Sequence, residues 1–166
     1  MLELGSGTGL VGIAAAAVLG RLEVDAEAVL SDNDPFSLAN LERNLASNAS
    51  LLASPCVKTS TRPLDWLADL DVPEAERSDV ILGGDVVYDV HHAQALRKAI
   101  EIHLARDGTA HIVMSLRSTH MVELRQVEVA FVEDLEAKIE IVRRETESVE
   151  GEPLSYESLW IRWKSS

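Results

Sequence analysis

The chain has 166 residues, of which 46% are hydrophobic, and this size and composition predict one globular domain over residues 1–166. Its formal net charge of −13 excludes broad binding to nucleic-acid phosphates, which requires a basic face. No apolar run is long enough to span a bilayer and no secretory signal is visible, so we expect no membrane partner. Cys56 is the single cysteine, which excludes an internal disulfide and favours a cytoplasmic or nuclear location.

The chain starts with a short apolar run that enters a glycine-rich turn and leaves it as an alanine-rich helix. Residues 1–4 predict the end of a buried strand, and residues 10–19 predict a helix buried on most sides. Glycines in the turn remove side chains that would keep a ligand from the backbone, and they permit positive φ, at Gly5, Gly7 and Gly9. The amides at the helix start favour a polar or anionic group, and Glu3 is placed to meet a cation.

The glycines match two known patterns in two registers. Residues 7–12 fit GxGxxG, the dinucleotide fingerprint, which keeps an NAD-dependent oxidoreductase as a distant alternative. Glu3 with residues 5–9 fits E-x-GxGxG, which resembles the first motif of class I S-adenosylmethionine (SAM) methyltransferases. SAM carries an ammonium and a sulfonium but no pyrophosphate, so an acid before the turn suits it. The other alternative is a turn that binds nothing, although packing seldom requires the backbone entropy cost of three alternating glycines.

The remaining chain alternates strands with helices and closes on a pair of strands. A second strand at residues 28–31 ends at Asp32, and Asp34-Pro35 predicts a helix start, because Asp caps an N-terminus and Pro suits the first turn. The later predicted elements, in chain order, are strands at 57–60 and 79–84, a helix at 92–105, a turn at Asp107-Gly108, a strand at 110–116, a helix at 121–137 and strands at 139–142 and 158–163. This alternation predicts a doubly wound α/β sheet.

Ligands of doubly wound sheets bind beyond the carboxyl ends of the strands, where this chain places acidic and aromatic residues. Asp32 lies 23 residues after Gly9, near the interval of roughly 20 expected for an acid that binds ribose hydroxyls. Asp32 is alternatively a turn residue, and Asp34 competes for the ligand role. Asp65 is suited to accept a hydrogen bond from an adenine amino group and Trp66 to stack on its ring. The alternative for Trp66 is an ordinary core position.

Asp85 and Tyr88 follow the fourth strand, directly after two glycines that open the backbone to a ligand. The Asp85 carboxylate is suited to hold an ammonium and the Tyr88 hydroxyl to hydrogen-bond an amine, whereas an ordinary strand-to-helix turn would not select for tyrosine. The histidines are weaker evidence for a functional site. The pair at 91–92 is expected to begin the next helix. No metal site is predicted, because metal-ligand spacing is missing from His103, His111 and His120. Of Trp160 and Trp163, which alternate along the last strand, at least one is expected in the core.

Together these motifs resemble the seven-strand SAM-dependent methyltransferases of the protein-lysine branch, methyltransferase family 16. The residues that carry the resemblance, in the family's order, are Glu3 to Gly12, Asp32, Leu64-Asp65-Trp66 and Asp85-Val86-Val87-Tyr88. It implies a Rossmann-like seven-strand sheet, mostly parallel, with an antiparallel seventh strand beside the fifth. It also implies methylation of a lysine ε-amine on another protein, with S-adenosylhomocysteine (SAH) as the product.

By the same resemblance, Glu3 and the glycines face the methionine part of SAM, Asp32 the ribose, and Asp65 with Trp66 the adenine. Asp85 and Tyr88 line the methyl-transfer site. Residues 65–89 hold eight acids and the single base Arg77, which favours a basic protein substrate. Family members have a helical segment before the first motif, so we expect this chain to be shortened at its N-terminus. A methyltransferase for a small amine and a non-catalytic binding module are the alternatives that the same motifs allow.

Overall fold

The computed structural model describes residues 1–68, 71–89, 91–116, 121–148 and 155–165. His120 and Asp69, the latter one of the eight acids counted over residues 65–89, lie outside these ranges. The chain is built of two compact units, Met1–Asp65 and Trp66–Ser166. Each unit is a layered α/β structure, and the expectation of a single domain over the whole chain stays a prediction. No helix in the described part of the chain is both long and apolar enough to cross a membrane.

The first unit is a three-strand parallel sheet with two helices. Its strands are β1 (Leu2–Glu3), β2 (Ala26–Asp32) and β3 (Val57–Pro63), in the order β3-β2-β1. Helix α1 spans Leu10–Arg21 and helix α2 spans Pro35–Ser47. The core between helices and sheet is formed by fully or nearly buried apolar side chains, namely Ile13, Ala16, Ala28, Leu30, Leu41 and Val57.

The second unit holds four strands in the order β4-β5-β7-β6. These strands are β4 (Ser78–Gly84), β5 (Leu104–Leu116), β6 (Ile139–Ser148) and β7 (Ser155–Trp163). Strand β5 runs parallel to β4, whereas β7 lies antiparallel between β5 and β6. The predicted fold class is therefore confirmed, including the antiparallel seventh strand beside the fifth. Helix α3 (His92–His103) and helix α4 (Met121–Glu128) complete the unit, and a π-helical turn at Val129–Glu133 extends α4.

The predicted turn at Asp107-Gly108 is wrong, because β5 continues through these residues as an irregular strand. The β4–β5 register shifts there, from Ser78 opposite Leu104 to Val80 opposite Thr109. A Cβ on Gly108 would lie 2.8 Å from the carbonyl oxygen of Asp79, so only glycine allows this close approach. The sequence shows a turn-like Asp-Gly pair, but partner strand β4 holds the segment in the sheet.

Trp163 is the core tryptophan of the last strand, which confirms that expectation. Its indole N–H donates to the carbonyl oxygens of Leu104 and Ala105 at 3.2 and 3.1 Å. The guanidinium of Arg106 lies 4.0 Å from the ring centroid. Trp163 therefore fastens the end of β7 to the irregular start of β5.

Candidate active site

The glycine turn after β1 has the backbone conformation that the sequence predicts. Gly5, Gly7 and Gly9 have φ angles of 63°, 52° and 80°, in the left-handed region that other residues enter only under strain. The turn is tied to the end of β2, because the Ser6 amide donates to the Ser31 carbonyl at 2.8 Å and the Gly7 amide donates to Asp32 Oδ2 at 2.9 Å. The chain thus presents a rigid, side-chain-poor loop at the carboxyl ends of β1 and β2.

The glycines of this motif have different neighbours. A Cβ on Gly9 would lie 2.3 Å from Leu41 Cδ1, and one on Gly12 would lie 2.4 Å from Glu3 Oε2 and 2.7 Å from Leu30 Cγ. A Cβ on Gly7 would have no atom within 4 Å among the described residues. Gly9 and Gly12 are therefore needed for packing, whereas a side chain at Gly7 would meet open space.

Glu3 is a buried carboxylate at the end of β1, with only 2% of its surface exposed. Among the described residues, neither its Oε2 nor the neighbouring Ser6 hydroxyl has a hydrogen-bond partner. Burial raises the pKa of Glu3 and the charge of Asp32 raises it further, while the nearby Ser6 hydroxyl and Gly12 amide oppose the shift. A buried polar group without a partner costs about 1–3 kcal/mol, so this carboxylate is suited to a bound cation.

Asp32 and Asp34 take different roles at the end of β2. Asp34 caps helix α2, where its Oδ2 accepts the Ser37 amide at 2.7 Å, and this hydrogen bond lowers the pKa of Asp34. Asp32 Oδ2 accepts the Gly7 amide and its Oδ1 accepts the Asp34 amide at 3.0 Å. A carboxylate has about four acceptor positions, so Asp32 keeps capacity for ligand hydroxyls. The predicted preference for Asp32 over Asp34 as the ligand group agrees with this geometry and stays a prediction.

Asp65 and Trp66 follow β3, at the boundary of the two units. Leu64 is buried and its amide donates to the Asp32 carbonyl at 3.0 Å, which fixes the chain just before Asp65. The Asp65 side chain is exposed and that of Trp66 is half-buried. Trp66 is therefore not a fully buried core residue, and part of its ring remains available for stacking.

His92 links two of the predicted site residues in the second unit, a role that sequence analysis missed. Its ring lies edge-on to Tyr88, with centroids 4.5 Å apart, and edge-on to Trp66 at 6.1 Å. Its Nδ1 is buried without a hydrogen-bond partner in the described part of the chain. His92 begins helix α3, as expected. In the sequence, the spacing of four residues between Tyr88 and His92 was the one indication that their rings could meet. Nothing in the sequence indicated the contact between His92 and the distant Trp66.

Asp85 has a strained backbone at the point where β4 ends. Its φ is 53°, which is uncommon for a residue with a side chain. Its amide donates to the Val113 carbonyl at 2.7 Å, and its Oδ1 accepts both the amide and the hydroxyl of Ser115 at 3.1 and 2.6 Å. The next two residues, Val86 and Val87, are buried, while Asp85 and Tyr88 are exposed. Strain of this kind is concentrated at functional sites.

Two of the histidines considered in the sequence, His103 and His111, lie elsewhere in the second unit. His111 lies on β5 against the ring of Trp160 at 5.7 Å, and burial lowers the pKa of His111. His103 is buried at the end of α3. Within the described ranges, no group of three or more His, Cys, Asp or Glu side chains is arranged to hold a metal ion.

Two curated proteins are similar to this chain in sequence. The chain is 30% identical over 131 residues to protein-lysine N-methyltransferase rrg1 of Schizosaccharomyces pombe, covering 74% of this chain and 40% of that protein. It is 35% identical over 132 residues to protein N-lysine methyltransferase METTL21A of Danio rerio, covering 76% of this chain and 56% of that protein. The chain therefore spans about half the length of these curated relatives.

Solved structures match the fold at low sequence identity. A SAM-dependent methyltransferase from Methanosarcina mazei aligns with a TM-score of 0.68 at 10% identity, covering 99% of this chain and 92% of that one. The cyclase SpnF aligns with a TM-score of 0.66 at 14% identity, covering 99% and 75%. Because one of these proteins is a cyclase, the fold alone does not define the reaction.

The family is shown by sequence. A family model described as lysine methyltransferase matches residues 1–138, which is most of the chain and includes every motif quoted above for the resemblance. On this match, this chain belongs to the lysine methyltransferase family.

Proposed function

We propose that this protein transfers a methyl group from SAM to the ε-amine of a lysine on another protein, and releases SAH. The observation that carries the proposal is the buried Glu3 carboxylate beside the glycine turn, whose Oε2 has no hydrogen-bond partner among the described residues. A buried anion without a partner is destabilising on its own, and a ligand ammonium would satisfy it. The amino-acid end of SAM has such an ammonium.

The remaining parts of SAM are assigned to Gly7, Asp32, Asp65 and Trp66. Gly7 leaves open space in front of the turn, and Asp32 has acceptor capacity for the ribose hydroxyls. Beyond β3, the exposed Asp65 is assigned to the adenine amino group and the half-buried Trp66 to the adenine ring. When bound, SAM supplies an electrophilic methyl group on a positively charged sulfur.

The acceptor chemistry is assigned to residues at the end of β4. A lysine must lose a proton before its nitrogen has a lone pair to attack, so the site has to bind and orient a neutral amine. Asp85 and Tyr88 are exposed at this strand end, and we assign them to that orientation. The proton acceptor is left unassigned between them.

The charge of the second unit supports a basic protein substrate. Its described residues before α3 include six exposed acids, namely Asp71, Glu74, Glu76, Asp79, Asp85 and Asp89. The single Lys or Arg in this segment is Arg77, whose guanidinium forms an ion pair with Glu74 at 3.2 Å. Such a surface attracts cationic chain segments.

Calorimetric titration with SAH tests the cofactor assignment, with NAD as the control ligand. We expect SAH to bind and NAD not to bind. Asp32→Asn should weaken SAH binding about tenfold, the effect of losing roughly 1.4 kcal/mol of charge-assisted hydrogen bonding. Asp34→Asn is the matched control, since it removes the same charge two residues away and keeps a side chain that caps helices well. Equal effects of the two variants would contradict the assignment of Asp32.

Radiolabelled SAM then tests the acceptor class. We expect label in proteins of a cell lysate, lost when their lysines are acetylated beforehand. Label in a methylated small molecule of the filtrate, separated chromatographically from unreacted SAM, with none in the proteins, would support the small-amine alternative. SAH binding without transfer to either fraction would support a non-catalytic binding module.

A further inference from the structure

The predicted motifs do not explain how Asp85 is attached to strand β5. The last β4–β5 pair joins Gly84 to Val113, after which β4 leaves the sheet. Asp85 then adopts φ 53° while its amide donates to the Val113 carbonyl at 2.7 Å. Aspartate tolerates the left-handed region better than most residues with a side chain, but the conformation still has a steric cost that hydrogen bonds must offset.

Ser115 is the residue that holds the Asp85 side chain. Its amide and its hydroxyl both donate to Asp85 Oδ1, at 3.1 and 2.6 Å. Ser115 itself is only 5% exposed and is paired across the sheet with Tyr156 on β7. One oxygen of an exposed carboxylate is therefore fixed by two donors from a buried, central strand.

A purely structural explanation is that the Asp85 side chain caps the β5 amide where the ladder stops. An asparagine oxygen would accept the same two hydrogen bonds, so capping does not require the negative charge. The charge is also held in a strained conformation, at the carboxyl end of a strand where this fold class binds ligands. Both features are expected if the carboxylate must meet a cationic group in a fixed orientation.

We propose that Ser115 is a positioning residue that orients the Asp85 carboxylate toward the cationic group of the methyl-transfer site. This inference rests on the proposed function and adds a residue that lies outside the Asp85-Val86-Val87-Tyr88 motif. Ser115 acts through Asp85 and takes no part in bond making. Removing the Ser115 hydroxyl should leave the charge of Asp85 in place but make the orientation of the Asp85 carboxylate less fixed.

The test compares two ligands, SAH and sinefungin, by calorimetric titration. Sinefungin is a SAM analogue with a primary ammonium at the position of the methyl group, so it reports on charge at that point without turnover. We expect the wild-type chain to prefer sinefungin to SAH, and Asp85→Asn to abolish that preference. Ser115→Ala should reduce the preference by about threefold or more, and Ser115→Thr, which restores a hydroxyl, should recover it.

Two controls separate positioning from folding. SAH affinity and the melting temperature report whether each variant is folded, and Ser158→Ala removes a serine hydroxyl on neighbouring β7 that has no hydrogen bond among the described residues. In the Asp85→Asn background, Ser115→Ala should change the ligand preference no further, because its effect passes through the carboxylate.

Each outcome is decisive. A sinefungin preference that survives Ser115→Ala in a folded protein overturns the inference while SAH binding upholds the cofactor assignment. A wild-type chain that binds neither SAH nor sinefungin contradicts the proposed function and the inference with it.

Discussion

At the scale of single residues, the site is organised by polar groups whose burial is unfavourable without a ligand. Glu3 is the clearest case, because its carboxylate is buried and its Oε2 has no partner in the described part of the chain. Such a group lowers the stability of the chain in exchange for ligand binding. The destabilising effect of the buried Glu3 carboxylate can be tested by substituting glutamine, which has nearly the same shape but no charge.

Glu3→Gln should stabilise the protein near pH 7 and weaken its binding of SAH and SAM. Because burial raises the pKa of Glu3, the native state binds a proton more tightly than the unfolded state. The destabilising effect of Glu3 is therefore absent below the ordinary pKa of glutamate and grows as the pH rises through the raised value. Urea unfolding of the wild type and of Glu3→Gln, near pH 7 and at about pH 4, should show a difference in unfolding free energy between the two proteins only at the higher pH. A variant that is less stable at both would contradict the assignment.

Gly7→Ala and Gly12→Ala should separate ligand access from packing. An alanine at Gly7 meets open space and carries only the cost of positive φ, about 1–2 kcal/mol, while its methyl group enters the space assigned above to SAM. An alanine at Gly12 would clash with Glu3 and Leu30 and should destabilise the first unit more strongly. We expect SAH affinity to fall in Gly7→Ala with a modest drop in melting temperature, and a large drop in melting temperature in Gly12→Ala. The reverse ranking would show that the turn is closed to ligands.

At the scale of elements, aromatic side chains from separate segments of the chain contact one another at the start of α3. His92 contacts both Tyr88, four residues earlier, and Trp66, from the segment after β3. Edge-to-face pairs of this kind contribute about 0.5–1.5 kcal/mol each beyond the area they bury. The segment from β4 to α3 is thereby connected to the chain that follows β3.

His92→Ala should lower the free energy of unfolding by about 1–2 kcal/mol, since it removes both ring contacts. His92→Phe should match or exceed the wild type in free energy of unfolding, because it keeps an aromatic ring and removes a buried nitrogen that has no hydrogen-bond partner among the described residues. His91→Ala is the control, as this neighbour is exposed and makes no side-chain cap. Chemical denaturation of the three variants measures these differences. Equal losses in His92→Ala and His91→Ala would show that the ring contacts contribute nothing.

At the scale of the whole molecule, the net charge of −13 favours a cationic partner and makes the encounter sensitive to salt. The Debye length falls to about 10 Å at 0.1 M salt, so long-range attraction is screened while contacts inside the site are not. We expect KM for a basic protein substrate to rise several-fold between low and physiological salt. The affinity for SAH should change much less. A salt-independent KM would argue that the acidic surface only keeps the protein soluble.

The sequence by itself determined the local features of this protein. Gly5, Gly7 and Gly9 take positive φ, Asp34 caps α2, and the order of strands and helices follows the hydrophobic pattern. These features depend on steric limits and hydrogen bonds within a few residues, which a single segment already specifies. The family motifs were visible for the same reason.

Only the tertiary structure decided the contacts between distant segments. It kept Asp107-Gly108 inside β5, left the buried Oε2 of Glu3 with no hydrogen-bond partner in the described ranges, brought Trp66 against His92, and placed Ser115 against Asp85. Each of these depends on strand pairing or packing between residues far apart in the chain. No local pattern specifies that pairing, because its free energy comes from burial and hydrogen bonds that exist only once the sheet has formed.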